Sequence, residues 1–294
     1  MALKYWVDFF EDLQHVRGRS QNTVMAYRRD LELYDEFKDK NQDISRIYEF
    51  LKNKKLSSRS QARVISSIRT YMKFCEKQGE KMPELRQLRP PKVKASLPEV
   101  VRYEEFKELY DSCAVPGNAA KTARNQITLL LLFGLGCRVT ELVSLNVQEF
   151  NETEGWLSVE GKGGKQRLIP LTTHILGELK AYLKDARPLL VKAAGDSILL
   201  NDKGNRPSRV DIWRWLAAWS KKAGFEKPLS PHKFRHGCAT ALLEGGADLR
   251  SIQMLLGHSS IQTTQIYTSV SSTKIREAVD EHHPLSDVRN LDKT

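Results

Sequence analysis

Apolar residues recur every three or four positions through roughly the first 82 residues, which is the spacing of helices that bury one face. This pattern predicts four helices, which begin near Trp6, Ser20, Ile44 and Ser58. We expect the fourth to open with a capping box at Ser58-x-x-Gln61. Because the connections are short and no alternating strand pattern interrupts them, this part of the chain predicts a small helical bundle.

Residues 84–98 lack any such period and contain three prolines. This composition is typical of an extended, semi-rigid linker. We therefore divide the chain into an N-terminal helical domain over 1–85, a linker over 86–98 and a C-terminal domain over 99–294.

The C-terminal domain alternates helical patterns with one pair of short strands. Apolar residues at 156–159 and 168–171 flank the turn Gly161-Lys162-Gly163-Gly164-Lys165, which predicts a β-hairpin. Helices are expected to begin near Tyr103, Ala119, Thr173, Val210, Pro231, Leu249 and Ser271. The domain is therefore predicted to be mainly helical with a small β-hairpin or sheet.

The amino-acid composition gives the chain a strong net positive charge. The chain has 294 residues, a net charge of +11 and an isoelectric point near 9.4. A hydrophobic content of 40% excludes global disorder. The charge favours a polyanionic partner, with nucleic acid ahead of an anionic membrane, although a basic protein without such a partner stays open.

Positive charge is concentrated at the end of the N-terminal domain. Residues 52–92 hold twelve Lys or Arg side chains and only three Glu, and several basic residues recur four positions apart. This spacing forms a stripe along one side of a helix. We interpret the stripe as a phosphate-contacting surface, the alternative being a solvated helix face.

The cysteines and the apolar segments bear on the compartment. Four widely spaced cysteines without a Cys-x-x-Cys motif indicate reduced thiols. The longest apolar run, 127–135, is far shorter than the about 20 residues that cross a bilayer. We expect a cytoplasmic protein with no membrane association.

Candidate chemistry lies in three polar clusters near the C-terminal end. They are His232-Lys233-Phe234-Arg235-His236, Leu256-Gly257-His258 and, nine residues further on, Tyr267. Arg binds phosphate oxygens with two donors, His moves a proton, and Tyr can attack phosphorus to form a covalent ester. The set indicates work on a phosphodiester. Zinc at the two histidines is disfavoured because the sequence offers no evident third ligand.

A further candidate follows the apolar helix that begins at Ala119. Gly134 and Gly136 allow a tight turn, which puts Arg138 near a helix N-terminus, where anions are favoured. Glu141 is close enough to orient Arg138 or a neighbouring cation. An exposed pair at this spacing contributes only about 0.3 kcal/mol, but the glycine-framed setting favours a functional role.

Four motifs together resemble the tyrosine site-specific recombinases of the phage integrase family, and look closest to the Xer type. They are Gly-x-Arg-x-x-Glu-Leu at 136–142, His-x-x-Arg-His at 232–236, Leu-Gly-His at 256–258, and Tyr267. The resemblance covers nearly the whole chain and is weaker in the N-terminal bundle. It departs at Cys137 and at Lys233-Phe234, neither of which removes a functional group.

The resemblance implies a two-domain, C-shaped clamp, with an N-terminal helical core-binding bundle and an α+β catalytic domain. It also implies a set of catalytic residues: Arg138, Lys162, His232, Arg235, His258 and the nucleophile Tyr267. In that scheme Lys162 is the general acid and His232 the proton acceptor. Glu141 orients a cation, and His236 is a packed, hydrogen-bonded support. Neither ATP nor a metal cofactor is implied.

Further basic residues are candidates for DNA contact: Arg59, Arg63, Arg69, Lys73, Lys165, Arg167, Arg206 and Arg209.

By resemblance, the partners are double-stranded DNA and a homo- or heterotetramer on paired recombination sites, with the C-terminal tail exchanged between protomers. The implied role is resolution of chromosome dimers at cell division, with a septal DNA translocase as activator. One alternative is a mobile-element or phage integrase with the same chemistry, disfavoured because no extra N-terminal arm-binding domain is recognisable. Another is a non-catalytic DNA-binding protein, disfavoured by the complete catalytic set.

Overall fold

The computed structural model describes residues 3–40, 43–91, 100–161, 164, 166–192, 195–257 and 269–286, with only the main chain for 269–272. The chain divides into two compact units, Met1–Ser96 and Leu97–Thr294. Within the described residues, no helix is long and apolar enough to cross a membrane.

The N-terminal unit is built from helices, as the apolar spacing predicts. They are α1 (Trp6–Glu11, continued by a π-helical turn at Asp12–Val16), α2 (Gln21–Lys40), α3 (Ile47–Asn53, preceded by a 3-10 turn at Ile44–Arg46) and α4 (Ser58–Lys77). One start differs from the prediction. The cap of α4 is Ser57, whose hydroxyl accepts from the Ser60 N–H at 3.2 Å, and Ser58 is already helical.

Aromatic side chains fill the core of this unit. Phe9 of α1 is fully buried, and its ring meets the rings of Phe10, Tyr71 and Phe74 edge to face, with centroids 5.3–5.4 Å apart. Such pairs add about 1 kcal/mol each beyond the area they bury. One turn of α4, from Tyr71 to Phe74, is thereby held against α1.

A buried carboxylate ties α2 to α4. Asp30 accepts a hydrogen bond from the hydroxyl of Ser67 at 2.7 Å and pairs with Arg63. Burial raises the pKa of Asp30, while Ser67 and Arg63 act against that rise. Arg63 therefore has a structural partner inside the unit.

The first part of the predicted linker is ordered and packed. Pro83–Arg86 form a 3-10 turn, Leu88 is buried in the N-terminal core, and the Tyr48 hydroxyl donates to the Arg89 carbonyl at 2.7 Å. The prediction of an extended linker is therefore wrong for residues 84–89. Residues 92–99 lie outside the described part of the chain.

The C-terminal unit contains the remaining helices and a three-stranded antiparallel sheet. The helices are α5 (Tyr103–Ser112), α6 (Ala119–Gly134), α7 (Val139–Ser144), α8 (Thr173–Ala181, continued by a π-helical turn at Tyr182–Ala186), α9 (Arg187–Leu190), α10 (Arg209–Lys222), α11 (Pro231–Glu244), α12 (Leu249–Leu256) and α13 (Ser269–His282). The strands, in sheet order, are β1 (Phe150–Asn151), β2 (Trp156–Glu160) and β3 (Gln166–Pro170).

The helix α6 is the centre of this unit. Its last two turns, 127–134, are almost completely buried, and α5, α8 and α11 pack around it. A helix that is covered on all sides reads as a continuous apolar run, which explains the pattern in the sequence. Trp215 and Trp219 of α10 are buried and stacked, whereas Trp213 is exposed.

The predicted hairpin is present as β2 and β3, in register Val159 opposite Arg167. The additional strand β1 was not predicted because two residues are too few to show an alternating pattern. Leu157, Val159 and Ile169 face the core, and the alternation places Arg167 on the same buried side.

The helix α13 packs within its own chain. Ile275, Val279 and the following Leu285 are buried in the core of the C-terminal unit. The ring of His283 is fully buried as well, and burial lowers its pKa to about 4, so the imidazole is neutral near pH 7. In the single chain the described tail residues up to Ser286 thus pack in cis, and exchange of the tail between protomers stays a prediction.

Gly237 marks a close approach of α11 to the main chain just before α5. A Cβ at this position of α11 would lie 2.2 Å from the main-chain oxygen of Val101 and 3.2 Å from the ring of Phe133. Only glycine allows this contact, because a main-chain oxygen cannot rotate away.

Gly237→Ala should lower the free energy of unfolding by about 2 kcal/mol through overpacking, measured as a shift of the urea midpoint of the full chain. Gly177→Ala is the matched control. It lies inside α8 with nothing within 4 Å of its Cβ position, so helix propensity should make it neutral or stabilising by up to about 1 kcal/mol. Equal midpoints for the two variants would contradict the packing argument.

Candidate active site

Arg138 stands at the N-cap of α7, immediately after the turn that ends α6. Gly136 has φ +56°, in the left-handed region, and makes this turn. Gly134, in contrast, is the last helical residue of α6, where a Cβ would collide with the Ile175 side chain at 2.3 Å. One glycine thus provides the turn and the other provides space, and Arg138 remains partly exposed, with 37% of its side chain accessible.

The carboxylate of Glu141 fixes Arg138 from within the protein. Glu141 is buried, and its oxygens accept from the Arg138 main-chain N–H at 2.9 Å and from Arg138 Nη1 at 2.6 Å. The main-chain bond satisfies an N–H at the start of α7, and the side-chain bond restrains the guanidinium. The pair is therefore not a solvated surface pair.

Arg167 of β3 binds the same carboxylate from the opposite side. Its Nη1 and Nη2 donate to the two Glu141 oxygens at 3.1 and 2.8 Å, and its Nε donates to the Leu255 carbonyl at 2.8 Å. Arg167 is buried, which overturns the prediction that it contacts the DNA backbone. The alternation of the strand is the sequence signal that could have revealed this, because Arg167 shares the face of Ile169.

Arg235 of α11 completes the cluster. Its Nη1 donates to the Gly136 carbonyl at 2.7 Å, its Nη2 donates to the Leu256 carbonyl, and Nη1 lies 4.0 Å from Glu141 Oε2. Burial, reinforced by the positive charge of Arg138, lowers the pKa of Arg235 to about 10. It remains cationic near neutral pH.

The electrostatics of this cluster are unbalanced. Burial by itself raises the pKa of Glu141, but the hydrogen bonds and charge of Arg167, with the bonds from Arg138, hold that pKa below its ordinary value. Glu141 is therefore ionised, and one carboxylate faces three guanidinium groups. The excess positive charge is suited to an anion at the open side of Arg138.

The histidines of α11 differ from Arg235 in burial. Both His232 and His236 are exposed, and no described residue forms a hydrogen bond with the His236 ring. The prediction of a packed, hydrogen-bonded His236 is therefore wrong. Within the described part of the chain, no cluster of three His, Cys, Asp or Glu side chains is arranged to bind a metal.

Four predicted residues lie outside the described part of the chain: Lys162, Lys165, His258 and Tyr267. The main chain that leads to His258 is nevertheless described up to Gly257, which ends α12 with φ +66°. The Gly257 carbonyl accepts from Arg138 Nη2 at 3.4 Å. The end of α12 therefore borders the arginine cluster.

The DNA-contact candidates divide into two groups. Arg59 and Lys73 on α4, and Arg209 at the start of α10, are exposed. Arg69 instead donates to the carbonyls of Leu85 and Leu88, and Arg206 donates to the carbonyls of Val143 and Leu145. With Arg63 paired to Asp30, these three have structural partners that the sequence did not reveal.

Comparison with known proteins bears on the whole chain. The model of the phage integrase family matches residues 99–274, and that of the phage integrase N-terminal SAM-like domain matches residues 7–79. Tyrosine recombinase XerD of Listeria monocytogenes serotype 4b (strain F2365) is 36% identical over 295 residues, covering 94% of this chain and 99% of that protein.

Solved structures share the fold. The XerA recombinase is 28% identical with a TM-score of 0.50, over 95% of this chain and 98% of that one. A lambda integrase tetramer bound to a Holliday junction is 20% identical with a TM-score of 0.65, over 88% and 79% of the two chains. The mainly helical fold with a small sheet is thereby confirmed. Because the family model matches residues 99–274 and the XerD relative is 36% identical over 94% of the chain, the chain belongs to the phage integrase family and is a DNA strand transferase of the Xer-type tyrosine recombinases.

Proposed function

We propose that this chain cuts and rejoins DNA at a specific site through a covalent link to Tyr267, and that it resolves chromosome dimers at cell division. The observation that carries the proposal is the arginine cluster, in which Arg138, Arg167 and Arg235 share the single carboxylate of Glu141. Its net charge of +2 is the complement of a dianionic phosphorane, and it is fixed before the substrate arrives.

The proposed step is a transesterification. The phenol oxygen of Tyr267 attacks a backbone phosphorus, and the bond from phosphorus to the 5′-oxygen breaks. The result is a 3′-phosphotyrosyl link and a free 5′-hydroxyl. A 5′-hydroxyl from a second duplex then attacks the same phosphorus and releases Tyr267, so the bond energy is conserved.

Each catalytic residue has a role in this step. A tyrosine has an unperturbed pKa of about 10, so attack near neutral pH needs a proton acceptor, and we assign that role to His232. Lys162 protonates the leaving 5′-oxygen. Arg138, Arg235 and His258 donate to the nonbridging oxygens, where charge develops. The partial exposure of Arg138 supports its contact with the phosphate.

The proposed partners follow from the chemistry and the relatives. Strand exchange needs two duplex sites and a nucleophile for each strand, so a homo- or heterotetramer on DNA is proposed, with a septal translocase as its activator. The relative from Listeria is itself called XerD, and the four cysteines are buried free thiols, as suits the reducing cytoplasm. Exchange of the C-terminal tail between protomers is part of this proposal, and it would require the apolar residues of α13, which are buried in cis in the single chain, to leave that site.

Tyr267→Phe should abolish the covalent adduct while leaving duplex affinity within about 2-fold, because the lost hydroxyl is the nucleophile and affinity resides in phosphate contacts. The assay is a nicked suicide duplex that traps the intermediate, followed by denaturing electrophoresis. A trapped adduct in this variant would show that another residue attacks the phosphorus.

Arg59→Ala combined with Lys73→Ala should weaken duplex binding and reduce the slope of log affinity against log salt by about 2, because each phosphate contact contributes about 0.9. Lys40→Ala is the control, since Lys40 is exposed on α2 and paired with Glu36 at 2.7 Å. Its slope should match the wild type. An unchanged slope in the double variant would exclude these two side chains from the DNA surface.

A strain without this gene should accumulate unsegregated chromosomes at division, and the defect should vanish when homologous recombination is also inactivated. The reason is that a dimer of circular chromosomes forms only by a crossover between sisters. Fluorescence microscopy of nucleoids measures the effect. Covalently trapped sites that map to integrated elements, with no segregation defect, would instead favour a mobile-element integrase.

A further inference from the structure

Arg167 is the member of the arginine cluster that the proposed reaction does not use. We propose that Arg167 is a positioning residue: it locks the Glu141 carboxylate, which in turn holds Arg138 at the scissile phosphate, and it anchors the end of α12 that continues into His258. This inference rests on the proposed function of the same site.

The first step concerns which arginine sets the plane of the carboxylate. Arg167 binds Glu141 with two parallel bonds, Nη1 to Oε1 at 3.1 Å and Nη2 to Oε2 at 2.8 Å. The Arg138 guanidinium contributes one bond to that carboxylate, Nη1 to Oε1 at 2.6 Å. A two-pronged pair fixes orientation, whereas a single bond permits rotation. The buried Arg167, together with the Arg138 main-chain N–H that donates to Oε2 at 2.9 Å, sets the carboxylate, and the remaining guanidinium donors of Arg138 can face a phosphate.

The second step concerns α12. Arg167 Nε donates to the Leu255 carbonyl at 2.8 Å, and a Cβ at Gly257 would lie 3.2–3.4 Å from the Arg167 side chain. The last turn of α12 therefore rests on the guanidinium, where a cation complements the negative end of the helix dipole. Gly257 directly precedes His258 in the chain. One side chain thus restrains both Arg138 and the main chain before His258.

The third step concerns why the position holds an arginine. Arg167 lies in β3 on the same face as buried Ile169, a position where an apolar residue would have no charge of its own to desolvate. A buried ion pair contributes little to the free energy of folding by itself, because desolvation of both charges offsets their attraction. The need to position a second charged group, Arg138, explains why an ion pair is present at this site. A lysine cannot substitute, since it lacks the planar fork.

Arg167→Met should reduce the rate of strand cleavage at saturating DNA by about 100-fold, the effect of a displacement of about 1 Å in a catalytic group. Arg167→Lys keeps the positive charge but loses the planar guanidinium, so its rate of strand cleavage should also fall. Neither variant should change noncovalent affinity for the uncleaved duplex much, because Arg167 is buried away from solvent. Urea midpoints of the full chain show how much of each variant is folded.

The decisive readout is a duplex with a neutral methylphosphonate in place of the scissile phosphate. The methylphosphonate lacks one nonbridging oxygen charge, which removes most of the need for Arg138. The Arg138→Ala change should therefore reduce the rate of cleavage far less on this substrate than on the natural one. If Arg167 acts through Arg138, its variants should show the same relief. Release of the 5′-hydroxyl strand measures cleavage on both substrates.

Arg187→Met is the matched control. Arg187 also donates to main-chain carbonyls, those of Ser197 at 2.8 Å and Gly195 at 2.6 Å, and it makes no bond to Glu141. Any loss it causes should be equal on the two substrates. Losses in Arg167→Met and Arg167→Lys that are the same on the methylphosphonate and the natural substrate, or no loss in either variant, would overturn the positioning role. Failure of the wild type to cleave either substrate would instead overturn the proposed function, and the inference with it.

Discussion

The catalytic unit depends on one buried carboxylate. Glu141 receives hydrogen bonds from Arg138 of α7 and Arg167 of β3, and it lies within ion-pair distance of Arg235 of α11. Three elements that are far apart in sequence therefore converge on two oxygen atoms. A lone ionised carboxylate inside a protein is costly, so the arginines stabilise it, and it in turn holds like charges together that would otherwise repel.

The surrounding structure serves this arrangement. The buried helix α6 ends at Gly134, and the left-handed Gly136 turns the chain so that Arg138 begins α7. The carbonyl of that same Gly136 accepts from Arg235. Main-chain carbonyls thus satisfy donors of Arg235, so no bound anion is needed to hold this side chain in place. The partly exposed Arg138 keeps donors for a ligand. Preorganised donors in a site with little water stabilise developing charge more than flexible ones do.

The N-terminal unit shows how charge counting can mislead. Arg63 and Arg69 belong to one basic stripe in the sequence, yet Arg63 pairs with buried Asp30, and Arg69 caps the carbonyls of the turn that follows α4. Arg59 and Lys73 from the same helix are exposed. A basic residue can stabilise the fold or contact phosphate, and helical spacing alone does not separate the two roles.

The sequence by itself determined the helical bundle, the hairpin, the buried helix α6 and the motifs that mark the family, because each depends on local period or on residue identity at fixed spacing. Tertiary structure alone decided that Arg167 is buried on Glu141, that His236 is exposed, that Leu85 and Leu88 pack on the N-terminal core and that α13 packs in cis. These outcomes depend on contacts between residues that are distant in the chain. Local patterns carry no information about which long side chain meets which buried carboxylate.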